Sequence, residues 1–206
     1  WAIHPGKDIK WTEEDMNKAS VVVPNLEEAV SIKGKSLDAP IHDFVFKGIT
    51  VEHSTWLRAS EEGLVHGQAG QYLVDGSVYE TNDIKVTPSP GAVHIENAQY
   101  VRFDGNHVRY TGAVGILMAS GTKEVTLVNN EVEETAGNGI EIGKFVVDDK
   151  TDYHTAYNPD DIREVCTNDR ILNNKIHDIG TQYEGAVGIG AGYVQGIMIA
   201  NNTVYN

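Results

Sequence analysis

The sequence predicts an all-β protein folded as a parallel β-helix, or β-solenoid, in which short strands wind into stacked coils. Four segments share a β-rich pattern that ends in Asn-x-Val or Asn-x-Ile, at residues 101–108, 125–132, 170–176 and 197–204. Successive asparagines of this pattern are 24, 44 and 28 residues apart. Helix-forming runs are scarce after Val30. Short strands that repeat at such intervals and are separated by turns are typical of coils that pair with their neighbours.

Each predicted coil also contains another strand, which starts the coil again. These strands lie at residues 93–95, 116–118, 140–142 and 189–191, and three of the four follow a glycine. An earlier segment, residues 44–51, fits the first pattern with Ile49 at the asparagine position. We therefore predict coils over residues 41–206.

The repeated asparagine is predicted to be structural. Asn130, Asn174 and Asn202 would stack at one position of successive coils and form a ladder of side-chain amides. A set of glycines beside the coils is predicted to serve turns that need a positive φ. This set is Gly112, Gly115, Gly137, Gly139, Gly185 and Gly188.

Two parts of the chain depart from the repeat. Residues 1–40 form a predicted lead-in, with a strand at 21–24 and one helical turn at 25–30. The long interval of 44 residues places a loop insertion at about residues 144–168. Its aspartates predict a solvated acidic flap over the groove, and an acidic loop is also a type of Ca²⁺ site. They are Asp148, Asp149, Asp152, Asp160 and Asp161.

The composition argues against several classes of function. The 206 residues include 16 Lys and Arg against 30 Asp and Glu, a formal charge of −14, which argues against nucleic acid and anionic membranes as partners. The longest apolar run, residues 113–119, is too short for membrane insertion. Cys166 is the single cysteine, and the eight histidines lack the spacing of a zinc motif, so no metal site is predicted. Neutral or cationic ligands are easier to accommodate.

A column of polar residues is the strongest candidate for a functional site. Counting two residues beyond the apolar position that ends each strand selects His53, Tyr110, Glu134, Asp178 and Asn206. Counting one residue beyond it selects Glu52, Arg109, Glu133, His177 and Tyr205. If the insertion loops out, Glu134 and Asp178 lie on adjacent coils, with their backbones about 4.8 Å apart.

Paired carboxyl groups of this kind have a known chemistry. Two nearby carboxylates repel, which separates their pKa values, and such a pair supplies the acid and the nucleophile or base of glycoside hydrolysis. The alternative interpretation is two solvated turn carboxylates. Trp56 and Tyr183 follow the column on the same edge, where each would either stack on a sugar ring or pack against the protein.

The sequence resembles the right-handed β-helix enzymes of glycoside hydrolase family 141 and their relatives. The resemblance rests on VVVPNLEEAVSIKG at 21–34, FVFKGITVEHSTW at 44–56, GQAG at 67–70, GNGIEIG at 137–143 and NKIHD at 174–178. It implies a right-handed, single-stranded β-helix within a longer protein, preceded by the tail of a small β domain. It also implies a secreted or periplasmic bacterial protein that acts on an oligo- or polysaccharide such as a fucoside or xylan.

The resemblance also implies roles for individual residues. Glu134 and Asp178 would be the catalytic pair, with Glu134 at a position where the family typically has Asp. The predicted substrate-binding residues are His53, Trp56, Gln68, Arg109, Tyr110, Glu141, His177 and Tyr183. Two alternatives stay open: a polysaccharide lyase on the same fold, and a non-catalytic carbohydrate-binding or adhesin β-helix. The acidic column argues against the lyase because carboxylates repel a uronate.

Overall fold

The computed structural model describes residues 12–61, 63–65, 72–75, 86–144 and 158–206. In this part of the chain, three parallel five-stranded sheets run side by side, and the chain passes through them in the order A, B, C in each of five coils. Sheet A consists of Val30–Lys33, Gly91–Glu96, Val114–Met118, Ile140–Gly143 and Ile189–Gly192. Sheet B consists of Val45–Lys47, Arg102–Asp104, Thr126–Val128, Arg170–Leu172 and Met198–Ala200. Sheet C consists of Thr50–Glu52, His107–Thr111, Glu131–Thr135, Lys175–His177 and Thr203–Tyr205.

The predicted parallel β-helix is confirmed, with one more strand in each coil than the sequence pattern indicated. Each repeated segment contains a strand of sheet B and a strand of sheet C, because a left-handed residue turns the chain between them. These residues have φ between 54° and 67° and are Gly48, Gly105, Asn129, Asn173 and Asn201. Glycine and asparagine are the residues that adopt this conformation at least cost.

The core lies inside the coils, because alternate residues of all three sheets point inward. Phe103, Leu127 and Ile171 stack on the inner side of sheet B and are fully buried. Val132 and Ile176 do the same in sheet C. Each such side chain stabilises the fold by about 1.5–3 kcal/mol relative to an exposed one.

The asparagine ladder is also confirmed. The Nδ2 atoms of Asn106, Asn130 and Asn174 donate to the Oδ1 atom of the next asparagine along the stack, at 3.2, 2.9 and 3.0 Å. Each of these Oδ1 atoms also accepts the backbone N–H of the preceding asparagine, as Asn130 does from Asn106 at 2.9 Å. The ladder therefore satisfies backbone and side-chain groups together at the corner between sheets B and C.

The prediction that the six glycines beside the coils serve turns with a positive φ is wrong. None of the six belongs to the positive-φ glycines of the described residues. Gly139 is needed because of close approach: a Cβ atom there would lie 2.5 Å from Ile176 Cγ2 and 2.7 Å from the carbonyl oxygen of Gly188. The lack of a side chain lets adjacent coils approach each other.

The lead-in is shorter than predicted. The β-helix already begins at Val30–Lys33, which pairs with Gly91–Glu96. The predicted strand at 21–24 and helical turn at 25–30 are absent from the structure, which has a helix at Glu13–Lys18 instead. Thr12 caps this helix, since its hydroxyl accepts the N–H of Asp15 and the Asp15 carboxylate accepts the N–H of Thr12.

The chain leaves the coils in two places. Between coils one and two lie the helix Arg58–Glu61 and an antiparallel sheet of Gly63–Val65, Tyr72–Asp75 and Val86–Pro88, which the sequence analysis did not predict. The predicted insertion follows Ile140–Gly143, and its described part contains a 3₁₀ turn at Ile162–Glu164. A short parallel pair, Ile41–His42 with Ala98–Gln99, lies at the corner between sheets A and B. No helix among the described residues is long and apolar enough to span a bilayer.

Candidate functional site

The outer side of sheet C carries two rows of polar side chains. Because Val108, Val132 and Ile176 point into the core, the residues on either side of them point outward. The first row is Thr50, His107, Glu131, Lys175 and Thr203, and the second is Glu52, Arg109, Glu133, His177 and Tyr205. We call these ten residues the sheet C face.

A third row, the turn column, follows at the corner where sheet C ends. It consists of His53, Tyr110, Glu134, Asp178 and Asn206, all with left-handed φ between 49° and 64°. Glu133 pairs with His177 in the parallel register, so Glu134 and Asp178 occupy the same position on coils three and four. The structure therefore confirms the predicted register, on which the pairing of these two carboxyl groups depends.

Members of the turn column contact each other between coils. The His53 and Tyr110 rings stack with centroids 5.2 Å apart. The Nδ2 atom of Asn206 donates to Asp178 Oδ1 at 3.2 Å. These contacts occur at both ends of the column, and Glu134 lies between them. The column is thus a row of polar and aromatic groups beside the sheet C face, with side-chain contacts on coils one and two and on coils four and five.

The centre of the site is a network of charged groups on coils three and four. His177 Nδ1 lies 2.7 Å from Asp178 Oδ2, and its Nε2 lies 3.2 Å from Glu131 Oε1. Glu133 Oε2 is 3.7 Å from the same Nε2 atom. Lys175 Nζ donates to Glu131 Oε1 at 2.6 Å. Glu131, Glu133 and His177 each offer a ligand atom to a metal ion, and these atoms lie within 4.8 Å of one another.

The network shifts the pKa values of its members. Hydrogen bonds from His177 and then Asn206 hold the pKa of Asp178 below its ordinary value. Hydrogen bonds from Lys175 and His177 lower the pKa of Glu131. Burial opposes the charged form of His177, but its hydrogen bonds to Asp178 and Glu131 outweigh burial and raise its pKa. Asp178 is therefore ionised at neutral pH, and His177 holds its proton to a higher pH than a free histidine.

We expect Asp178→Asn to lower the pKa of His177, because an amide stabilises the imidazolium less than a carboxylate does. The measurement is an NMR titration of the His177 ring protons. Since the folded-state pKa is raised, this interaction stabilises the fold below pH of about 6.5 and is lost as pH rises through the folded-state pKa. Asp43→Asn, a matched change beside His42, should leave the His177 titration unchanged. An unaltered His177 pKa in Asp178→Asn would contradict the assigned coupling.

Arg109 and Tyr110 belong to a second group, on coils one and two. Arg109 Nε donates to Glu52 Oε2 at 2.7 Å, and its guanidinium carbon lies 5.1 Å from the centre of the Tyr110 ring. Tyr110 is nevertheless 44% exposed. His53 and Arg109 thus hold in place an aromatic ring that stays accessible.

Two aromatic residues that were predicted to bind substrate, Trp56 and Tyr183, pack against each other. Trp56 is only 5% exposed and packs with Ala113. The Tyr183 ring meets Trp56 edge-on, with centroids 5.5 Å apart. The prediction that Trp56 is a sugar platform is therefore wrong, because its ring faces are covered. Burial also raises the pKa of the half-buried Tyr183.

Glu141 is not on the open surface, contrary to its predicted role in substrate binding. It lies on sheet A between Leu117 and Gly190, and it is 2% exposed. Asn138 Nδ2 donates to Glu141 Oε1. Burial raises the pKa of Glu141 to about 8, so this carboxyl group is mainly protonated at neutral pH. The predicted residue Gln68 lies outside the described residues.

The described part of the insertion lies away from the sheet C face. Arg163 on the 3₁₀ turn binds Asp161 and Asp38, and the carbonyl oxygen of Glu164 accepts the N–H of Gly121. These contacts place residues 158–168 at the corner between sheets A and B, so they do not form the predicted flap over the site. Asp148, Asp149 and Asp152 lie outside the described residues.

The first row of the sheet C face was not predicted from the sequence. His107, Glu131 and Lys175 occur two positions before Arg109, Glu133 and His177, on the same side of each strand. Side chains of a strand alternate with a period of two. Extending the predicted column by two residues toward the N-terminus would have identified this row.

Three parallel sheets, a buried asparagine ladder and a polar outer face define this chain as a β-solenoid protein. Residues 28–206 match the family described as "Right handed beta helix region", which is most of the chain. The chain belongs to this family of right-handed β-helix proteins.

A solved structure entitled "Glycoside hydrolase" is similar to this chain, with a TM-score of 0.80 and 28% sequence identity. The similarity covers 88% of this chain and 32% of that one, so the chain spans about a third of the length of the similar protein. A comparison with curated proteins found no match.

Proposed function

We propose that this β-helix is the catalytic part of a glycoside hydrolase, in which Glu134 and Asp178 cleave a glycosidic bond of an oligo- or polysaccharide. The observation that carries the proposal is the register that stacks these two residues on coils three and four. The likeness to a structure entitled "Glycoside hydrolase" supports it independently. Under this proposal the protein is secreted or periplasmic and bacterial, and it meets its glycan outside the cytoplasm.

The two carboxyl groups would take different parts in the reaction. Asp178 is kept ionised by His177 and Asn206, which suits a nucleophile or a base that activates water. Glu134, exposed on the preceding coil, would donate a proton to the oxygen of the leaving sugar. The bond from the anomeric carbon to that oxygen breaks as Asp178, or the water it activates, attacks the carbon. If Asp178 attacks, a water that gives its proton to Glu134 then hydrolyses the glycosyl ester; if water attacks, Asp178 takes its proton.

Tyr110 is the side chain best suited to hold the sugar. Its ring is exposed and adjoins Glu134 in the turn column. His53 and Arg109 hold the ring, so ordering it on binding costs little conformational entropy. Aromatic faces bind the apolar C–H surfaces of sugar rings, and the carboxylates and Arg109 are suited to hydrogen bond with hydroxyl groups.

The proposal is tested by removing each carboxyl group in turn. We expect Glu134→Gln and Asp178→Asn each to lower kcat/KM by at least about 100-fold on a responsive glycan, with xylan and fucosides tried first. Release of reducing sugar is the measurement. Matched controls exist at the corner between sheets A and B, where Glu124 and Asp43 are also left-handed, with φ of 53° and 58°. Glu124→Gln and Asp43→Asn should retain wild-type turnover.

The products distinguish the alternatives. A lyase releases an unsaturated sugar that absorbs ultraviolet light, whereas hydrolysis releases reducing sugar without that signal. Binding of a glycan without turnover would identify a non-catalytic carbohydrate-binding β-helix. Turnover that survives in both Glu134→Gln and Asp178→Asn would show that the proposed pair does not perform the chemistry.

A further inference from the structure

The charged network on the sheet C face contains a set of mixed nitrogen and oxygen ligands, Glu131, Glu133 and His177. Of these, only His177 has a part in the proposed hydrolysis, where its Nδ1 atom keeps Asp178 ionised. Glu131 and Glu133 project from one strand, and His177 projects from the next strand opposite Glu133. Residues two apart on a strand share a face, and neighbouring strands are about 4.8 Å apart. Side chains from these three positions therefore converge, and their ligand atoms lie within 4.8 Å of one another.

We propose that Glu131, Glu133 and His177 bind a divalent transition-metal ion such as Zn²⁺ or Mn²⁺ on coils three and four. The proposal does not depend on the hydrolase activity, since the ligands come from the sheet and not from the turn column. Three protein ligands leave coordination positions for water or for hydroxyl groups of a bound molecule.

His177 is oriented as metal-binding histidines usually are. Its side chain is 7% exposed, so packing fixes the ring. The ring also stacks on Tyr205, with centroids 4.9 Å apart and an interplanar angle of 4°. Asp178 holds Nδ1, which leaves Nε2 directed at the two glutamates. A carboxylate on the nitrogen that faces away from the metal is the common support of a ligating histidine.

The donor types select the class of ion. An imidazole nitrogen with two carboxylates suits Zn²⁺, Mn²⁺ and similar ions, whereas Ca²⁺ takes an all-oxygen set of six to eight ligands. A metal ion would also neutralise the two adjacent carboxylates Glu131 and Glu133.

Lys175 is the competitor of the metal ion. Its ammonium binds Glu131 at 2.6 Å, but the side chain is 48% exposed and can move into solvent. His107 binds Glu133 Oε1 at 2.7 Å from the opposite side, which leaves Oε2 directed at His177. Removing the lysine charge should therefore favour the metal ion.

The experiment is calorimetric titration of the full chain, freed of metal by a chelator, with Zn²⁺ and separately with Mn²⁺. We expect one bound ion per chain, an affinity at least tenfold lower in Glu133→Gln and in His177→Asn, and a higher affinity in Lys175→Met. The matched control is His42→Asn, because His42 Nδ1 lies 2.7 Å from Asp43 Oδ2 on another side of the β-helix. It should bind the ion as the wild type does.

Folding is checked by thermal unfolding without metal, and Glu133→Gln serves if His177→Asn fails to fold. A second readout is the ¹⁵N chemical shift of His177 Nε2, which should move on addition of Zn²⁺. Lack of binding by the wild type at millimolar Zn²⁺ and Mn²⁺, or binding unaltered by both ligand variants, would overturn the proposal. Since no sugar is present, a failure here is separate from a failure of the hydrolase proposal.

Discussion

We expect Asn130→Ala to lower the free energy of unfolding by about 3–5 kcal/mol. Asn130 is 1% exposed and lies in the middle of the ladder. Its Nδ2 atom donates to the carbonyl oxygen of Phe103 and to Asn174 Oδ1, each at 2.9 Å. Its Oδ1 atom accepts the backbone and the side-chain N–H groups of Asn106. Alanine leaves the buried backbone N–H of Asn106 without this acceptor. It also removes one hydrogen bond each from Asn106 Nδ2, the Phe103 carbonyl oxygen and Asn174 Oδ1, and such losses in the core cost more than the loss of an exposed hydrogen bond.

The adjacent asparagine provides the control. Asn129 is exposed and left-handed, and its Nδ2 atom donates to Asp104 at 3.0 Å. Asn129→Gly keeps this backbone conformation accessible, so its cost should stay within about 1 kcal/mol. Urea unfolding of the two variants gives the comparison. Equal destabilisation of both would show that the ladder stabilises the β-helix no more than a surface contact does.

The sequence was sufficient to predict the coils because their determinants are periodic. Burial of one face of each strand and the demand for hydrogen bonds at one corner repeat in every coil, so Asn106, Asn130, Asn174 and Asn202 occur in phase with the apolar residues. The same periodicity placed Glu134 next to Asp178 across an interval of 44 residues. The register of adjacent coils could therefore be predicted from the sequence.

The burial of residues outside the repeated core pattern could not be predicted in this way. Trp56 lies after a strand on the predicted edge, but its burial depends on Ala113 and Tyr183, which come from other coils. The alternation of its strand places Glu141 on the side of sheet A that faces away from the core. That side is nevertheless covered at coils three and four, where every residue of the two strands is buried. Burial of an outward residue depends on what packs over the sheet, and the strand pattern contains no information on that.

Conformation alone does not distinguish the proposed catalytic residues of the turn column. The corner between sheets A and B has the same left-handed backbone, with Asp43, Tyr100, Glu124, Asn168 and Gly196 at the five coils. What distinguishes Asp178 is its surroundings: a buried histidine on one oxygen and an amide on the other. The proposed chemistry would therefore depend on adjacent rows acting together, so variants of equal conformation at the other corner are informative controls.

We expect Glu141→Gln to stabilise the protein increasingly as pH rises. Burial raises the pKa of this carboxyl group to about 8, whereas the ordinary value is 4.5. Between these values the unfolded chain ionises and the folded chain keeps its proton, so the wild type loses stability as pH rises from the lower value to the higher. Glutamine has a similar size, keeps an oxygen acceptor for Asn138 and does not titrate. The variant should therefore gain roughly 3 kcal/mol relative to wild type between acidic conditions and pH 7.

Urea unfolding of both proteins at several pH values between about 4 and 8 measures this gain. Asp169 also has a raised pKa, about 6, but it is present in both proteins and its contribution cancels in the difference. Parallel curves for Glu141→Gln and wild type would mean that Glu141 is ionised in the folded protein, with a cation or water compensating its charge. If the difference in free energy of unfolding between Glu141→Gln and wild type widens with pH, the folded protein keeps this carboxyl group protonated while the unfolded chain ionises it.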